Sequence, residues 1–67
     1  MTINEKIAKA QRIADHLVKN KGIERDFAEA TGLYMVASGI YQLKKARMAV
    51  FLAGPNGGEK FKKQITG

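Results

Sequence analysis

A chain of 67 residues without cysteine has room for one domain, and it excludes disulfides and thiolate metal sites as sources of stability. Its net charge of +6 predicts an acidic or polyanionic partner, or a surface charged for solubility alone. No apolar run is long enough for a membrane span or a secretory signal, so we expect a cytoplasmic protein with no membrane partner.

The first predicted element is an amphipathic helix at about residues 3–20. Thr2 and Glu5 have the spacing of a capping box, in which each side chain accepts a hydrogen bond from the other residue's backbone. Asn20 and Gly22 indicate where the helix ends. Apolar residues at spacings of three and four share one face, namely Ile3, Ile7, Ala10, Ala14 and Leu17.

Residues 23–53 are also predicted to be helical, with two alternatives. Gly32 favours a break that leaves helices at about 24–31 and 34–53, because glycine inside a helix costs about 1 kcal/mol relative to alanine. The absence of a capping residue just after Gly32 favours one continuous helix instead. The sequence therefore predicts an all-α fold of two to three helices, either helix-turn-helix-like or a helical hairpin.

The apolar residues of this second segment exceed what one partner helix of about 18 residues covers. Phe27, Tyr34, Tyr41 and Met48 recur every seven residues and form one stripe. A second stripe predicts self-association as a homodimer, with an interface made by Val36, Ile40, Leu43 and Val50.

The C-terminal residues 55–67 are predicted to be a glycine-rich turn and a basic tail that follow a helical domain at 1–54. A short helix and the return strand of a hairpin are the alternatives for this segment. Phe61 and Ile65 are four residues apart, which favours a helical turn.

The residue types that catalyse reactions in enzymes have no apparent catalytic partners in this sequence. His16 is the only histidine, Ser38 is the only serine, and the carboxylates show no metal-ligand spacing. We therefore expect a protein that is not an enzyme and that holds no metal or cofactor.

Residues 26–33 resemble the first helix and turn of helix-turn-helix DNA-binding proteins. Ala28 matches the small residue where the two helices cross, Gly32 matches the glycine of the turn, and Leu33 matches the apolar residue after it. The resemblance covers about eight residues and implies a DNA-binding protein that regulates transcription. Ser38 stands where that family has a buried aliphatic residue.

The predicted function is DNA binding, regulatory or architectural, mainly through phosphate contacts. DNA is favoured over RNA as the nucleic acid. Lys44, Lys45 and Arg47 form a compact basic cluster suited to phosphates, and Gln42 is the one plausible base reader. Further phosphate contacts are predicted for the lysines after the glycine-rich turn, namely Lys60, Lys62 and Lys63.

The alternative function is protein docking, as an adaptor or an inhibitor of the kind that phages encode. A basic protein of this size suits an acidic surface on a partner such as a nucleic-acid enzyme, and the apolar surface at 36–52 then serves that partner. A membrane-surface helix at 3–20 is a weaker third reading, because its apolar face has no Trp or Phe.

Overall fold

The computed structural model describes residues 1–54 and 57–67, which form four α-helices, one 3-10 turn and no strand. In chain order these are α1 (Ile3–Lys21), α2 (Arg25–Ala37), the 3-10 turn (Leu43–Lys45), α3 (Ala46–Ala53) and α4 (Gly58–Thr66). The predicted all-α class is confirmed, and the predicted number of two to three helices is too low. None of the described helices is both long and apolar enough to cross a membrane.

The first helix begins and ends where the sequence predicts. The side chain of Thr2 accepts a hydrogen bond from the backbone N–H of Glu5, and the Glu5 carboxylate accepts one from the backbone N–H of Thr2, both at 3.2 Å. The bond from the Thr2 backbone holds the pKa of Glu5 below its ordinary value. Gly22 ends α1 in the left-handed conformation, with φ 65°.

Thr2→Ala is expected to lower the free energy of unfolding by roughly 0.5–2 kcal/mol, because the backbone N–H of Glu5 loses its acceptor. Thermal unfolding followed by circular dichroism measures this loss. Thr2→Ser keeps a hydroxyl at the cap and serves as the matched control. A Thr2→Ala midpoint equal to that of wild type would show that the first turn of α1 is frayed in solution.

The second helix runs through Gly32 and ends five residues later, at Ala37, so neither predicted alternative is correct. A Cβ on Gly32 would overlap the carbonyl oxygen of Ala10 and lie 3.1 Å from its carbonyl carbon. The glycine is therefore required for the close crossing of α1 and α2 rather than for a turn. The turn that the helix-turn-helix resemblance places at Gly32 is absent from this helix.

The chain leaves α2 through Gly39, two residues after the last helical residue, with a φ of 74°. The backbone N–H of Ile40 donates to the carbonyl of Met35 at 2.8 Å, and that of Gly39 donates to the carbonyl of Val36 at 3.1 Å. These two bonds are the pattern of a Schellman motif, which satisfies carbonyls left over at a helix end. The segment expected to stay helical to residue 53 therefore leaves α2 as a non-helical linker at residues 38–42.

A packed helix replaces the expected basic tail. In α4, Phe61 meets the ring of Tyr34 edge to face at 5.0 Å between centroids, and Ile65 is buried. The spacing of four between Phe61 and Ile65 puts both on the face that packs against α2. Pro55 and Asn56, which belong to the predicted turn, lie outside the described residues.

The core lies between α1 and α2 and is closed by α3 and α4. Leu17 and Met35 are fully buried at its centre. Thr31 is buried as well, and its hydroxyl donates to the Phe27 carbonyl at 2.6 Å, so its burial leaves no donor unpaired. Val36 is only 4% exposed, which makes it a core residue and removes it from the predicted dimer interface.

Candidate nucleic-acid interface

Two positive side chains of α1 lie beside the residues that lead into the 3-10 turn. The ammonium of Lys9 lies 5.4 Å from the ring centroid of Tyr41, a cation–π geometry. Lys9 and Arg12 line a shallow pocket of about 190 Å³ together with Tyr41 and Leu43. Lys44 and Lys45 follow Leu43 directly in the chain, and Arg47 follows in the first turn of α3. We call the resulting set the basic rim, formed by Lys9, Arg12, Lys44, Lys45 and Arg47.

The predicted contact residues of the linker and the 3-10 turn are exposed. Lys44 and Lys45 lie on the turn, and Arg47 lies in the first turn of α3. Gln42 is also exposed, but it sits in extended backbone with φ −82° and ψ 118° instead of on a reading helix. These positions suit contact with phosphates better than readout of base edges.

The structure separates the three α4 lysines from this surface. Lys62 lines a groove between α1, α2 and α4 that shares no residue with the pocket at Tyr41. Lys60 extends over Phe61, with its ammonium 5.7 Å from the ring centroid, and Lys63 is exposed on the same helix. The predicted set of six cations is therefore split into two groups.

The groove beside α4 carries most of the acidic side chains of the protein, and we call it the acidic groove. It holds about 770 Å³, and its floor includes Ala14 and Leu33. Its border contains four of the six carboxylates of the chain against two cations, the residues being Asp15, Asp26, Glu29, Glu59, Arg25 and Lys62. Among the described residues, no three or more His, Asp or Glu side chains lie close enough together to hold a metal ion.

The two surfaces lie on opposite flanks of α1. Lys9 borders the basic rim and Gln11 borders the acidic groove, and residues two apart on a helix point about 200° apart. Within the groove the guanidinium of Arg25 binds the Asp15 carboxylate at 3.0 Å, and both side chains are more than half exposed. The protein is therefore polarised, with a negative groove in a molecule of strongly positive net charge.

A third surface is the outer face of α3. Met48, Phe51 and Leu52 are 73%, 86% and 65% exposed, while Ala46 and Ala49 on the opposite face are buried. We call these three side chains the α3 knob. They differ from the predicted interface, of which Val36 is in the core, Ile40 and Val50 are half-buried, and Leu43 is exposed.

The sequence prediction missed Lys9 and Arg12 as partners of the 44–47 cluster. Their signal was a spacing of three on the polar side of α1, a pattern also expected of an ordinary solvated helix face. It missed the α3 knob as a separate surface because both alternatives kept residues 34–53 in a single helix. Comparison of the chain with protein-family models, with curated proteins and with solved structures finds no match.

Proposed function

We propose that the protein binds DNA through the basic rim, mainly at phosphates, and has no enzymatic activity. The proposal rests chiefly on one observation, the juxtaposition of Lys9 and Arg12 with Tyr41 and Leu43, the residues that lead into the 44–47 cluster. Cations from two elements on one surface are the electrostatic footprint expected of a nucleic-acid partner. The lack of cysteine supports a role in the cytoplasm.

An architectural role fits the proposal better than a sequence-specific regulatory role. Base edges are read mostly by Arg, Lys, Asn and Gln presented from a helix or ribbon in the major groove. The outer face of α3 presents Arg47 beside the apolar α3 knob, and Gln42 lies in the linker before it. Phosphate contacts carry no direct sequence information, so we expect similar affinity for duplexes of different sequence.

The test is fluorescence anisotropy with a labelled DNA duplex across a salt series. The affinity of wild type is expected to fall steeply with salt, with a log–log slope of about −0.9 per phosphate contacted. Replacing Lys9, Lys44 and Lys45 together by Ala is expected to weaken binding to every sequence and to make the slope shallower by about 3, or about 1 per lysine.

The matched control replaces Lys60, Lys62 and Lys63 together by Ala, which removes the same charge from α4. This control is expected to lower affinity only through the smaller net charge and to leave the slope near that of wild type. Equal effects of the two triple variants would overturn the assignment to the basic rim. Absence of binding at low salt would overturn DNA binding itself.

Protein docking is the second candidate function, and the α3 knob favours it. Three large apolar side chains exposed on one short helix, beside Arg47, are typical of an interaction surface. A partner with an acidic border around an apolar site would satisfy both features. This candidate predicts no duplex binding at moderate salt, so the same anisotropy series separates it from the first.

A further inference from the structure

Two surfaces of this chain are complementary to each other. The α3 knob is an apolar centre with cations beside it, Arg47 within its own helix and Lys45 just before it. The acidic groove is the reverse, an apolar floor with carboxylates at its border. Opposite charge around matching apolar centres is the arrangement by which protein interfaces select their partners.

We propose that the α3 knob of one copy docks into the acidic groove of a second copy. The contact is head-to-tail, since the two surfaces differ, and each copy retains an unused knob or groove for the next. The contact shares Lys45 and Arg47 with the basic rim, but its apolar anchor and its groove contain no residue of the rim, so it can form whether or not DNA is bound.

The two surfaces of one chain cannot satisfy each other. Ala46 and Ala49 hold the inner face of α3 against the core, which directs Phe51 outwards. The groove opens between α1, α2 and α4, and it contains no residue of α3. The groove can therefore be filled by an α3 knob only if a second copy of the chain supplies it.

The groove has the volume of a binding pocket. Its volume of about 770 Å³ lies within the range of roughly 300–1,000 Å³ that is typical of pockets for drug-sized ligands. Phe51, as the most exposed large side chain, is the natural anchor, with Met48 and Leu52 beside it. A contact between one short helix and one groove is smaller than a standard interface, so we expect weak association, with a dissociation constant on the order of 100 μM.

Charge favours this occupant over two α3 faces packed against each other. A symmetric pairing of two knobs brings the Arg47 and Lys45 side chains of both copies together, and like charges facing each other disfavour such a contact. In the head-to-tail contact the same cations meet the carboxylates of Asp26 and Glu29, both of which are exposed at the border of the groove.

The test uses two variants that each damage one surface. Phe51→Ser removes the anchor from the knob, and Glu29→Lys reverses a charge at the groove. Both positions are exposed, so both variants are expected to fold, which circular dichroism checks. Glu24→Lys makes the same charge change on an exposed residue outside the groove lining and is the matched control.

Sedimentation equilibrium near 1 mM protein is the measurement. The average mass of wild type and of Glu24→Lys is expected to rise above the monomer mass of 7.4 kDa as concentration increases. Phe51→Ser is expected to weaken association at least 30-fold, as loss of a central aromatic anchor does, and Glu29→Lys about 10-fold. An equimolar mixture of the two variants is expected to form a dimer, because it restores one intact knob and one intact groove.

The mixture decides between arrangements. A symmetric dimer through two α3 faces would leave Glu29→Lys associating as wild type does, and the mixture would gain nothing over Glu29→Lys alone; that result would overturn the proposal. A monomeric mass for wild type at every concentration would also overturn it. Neither result bears on DNA binding, which the anisotropy series tests separately.

Discussion

Gly32→Ala is expected to lower the free energy of unfolding by about 1–3 kcal/mol, although alanine is the better helix former. In an open helix the same change would stabilise by about 1 kcal/mol. Here the added Cβ meets the carbonyl group of Ala10, and backbone atoms cannot rotate away as a side chain can. The crossing of α1 and α2 must widen, and the cost of that overpacking exceeds the gain in helix propensity.

Gly58→Ala is the matched control for this prediction. Gly58 is also helical, at the start of α4, and a Cβ there meets nothing within 4 Å. Its replacement is expected to leave stability unchanged or to raise it by up to about 1 kcal/mol, because the unfolded chain loses freedom. Urea unfolding of both variants measures the contrast. Equal stability of Gly32→Ala and wild type would show that the two helices cross less closely in solution.

The first helix was predictable because its signals are local. The reciprocal cap of Thr2 and Glu5, the apolar spacing and the stop at Gly22 all lie within one stretch of about 20 residues. Each of them acts through backbone and side-chain contacts of neighbouring residues. The structure adds Ile13 to the buried face and leaves Ile3 largely exposed.

The end of α2 was not predictable in the same way. Gly32 and Gly39 are both glycines in an apolar stretch, and the sequence alone does not say which one makes a turn. The choice depends on tertiary packing, since Gly32 lies where α1 crosses and Gly39 adopts a positive φ. Ser38 and Gly39 together are a local stop signal that the prediction did not use, since both alternatives kept residues 34–53 helical.

Val36, one of the residues of the predicted dimer interface, lies in the core for a related reason. The prediction assumed that only the first helix packs against the apolar stripes of residues 23–53. The apolar surface left over was therefore assigned to a second copy of the chain. The structure places α4 against α2, where Phe61 covers Tyr34, and the chain itself buries Val36. The basic rim depends on the same tertiary information, because Lys9 and Tyr41 are 32 positions apart in the sequence.

Leu17→Ala is expected to cost about 2–5 kcal/mol of unfolding free energy, the largest effect among these variants. Leu17 is fully buried where α1 meets the core, and its truncation removes apolar contacts and leaves a cavity. A domain of this length has a total stability of roughly 3–10 kcal/mol, so the loss is a large share of it. We expect the thermal midpoint of Leu17→Ala to fall by at least about 10 °C. If wild type is only marginally stable, the variant is expected to be unfolded at room temperature.

Leu52→Ala removes the same atoms from the α3 knob and is the matched control. Because Leu52 is 65% exposed, its truncation is expected to change stability by no more than about 0.5 kcal/mol. It is expected to reduce self-association, since the lost atoms face the second copy and not the core. Thermal unfolding at low concentration and sedimentation at high concentration measure the two effects separately. A large loss of stability in dilute Leu52→Ala would contradict an outward-facing α3, and with it both the knob and its docking in the acidic groove.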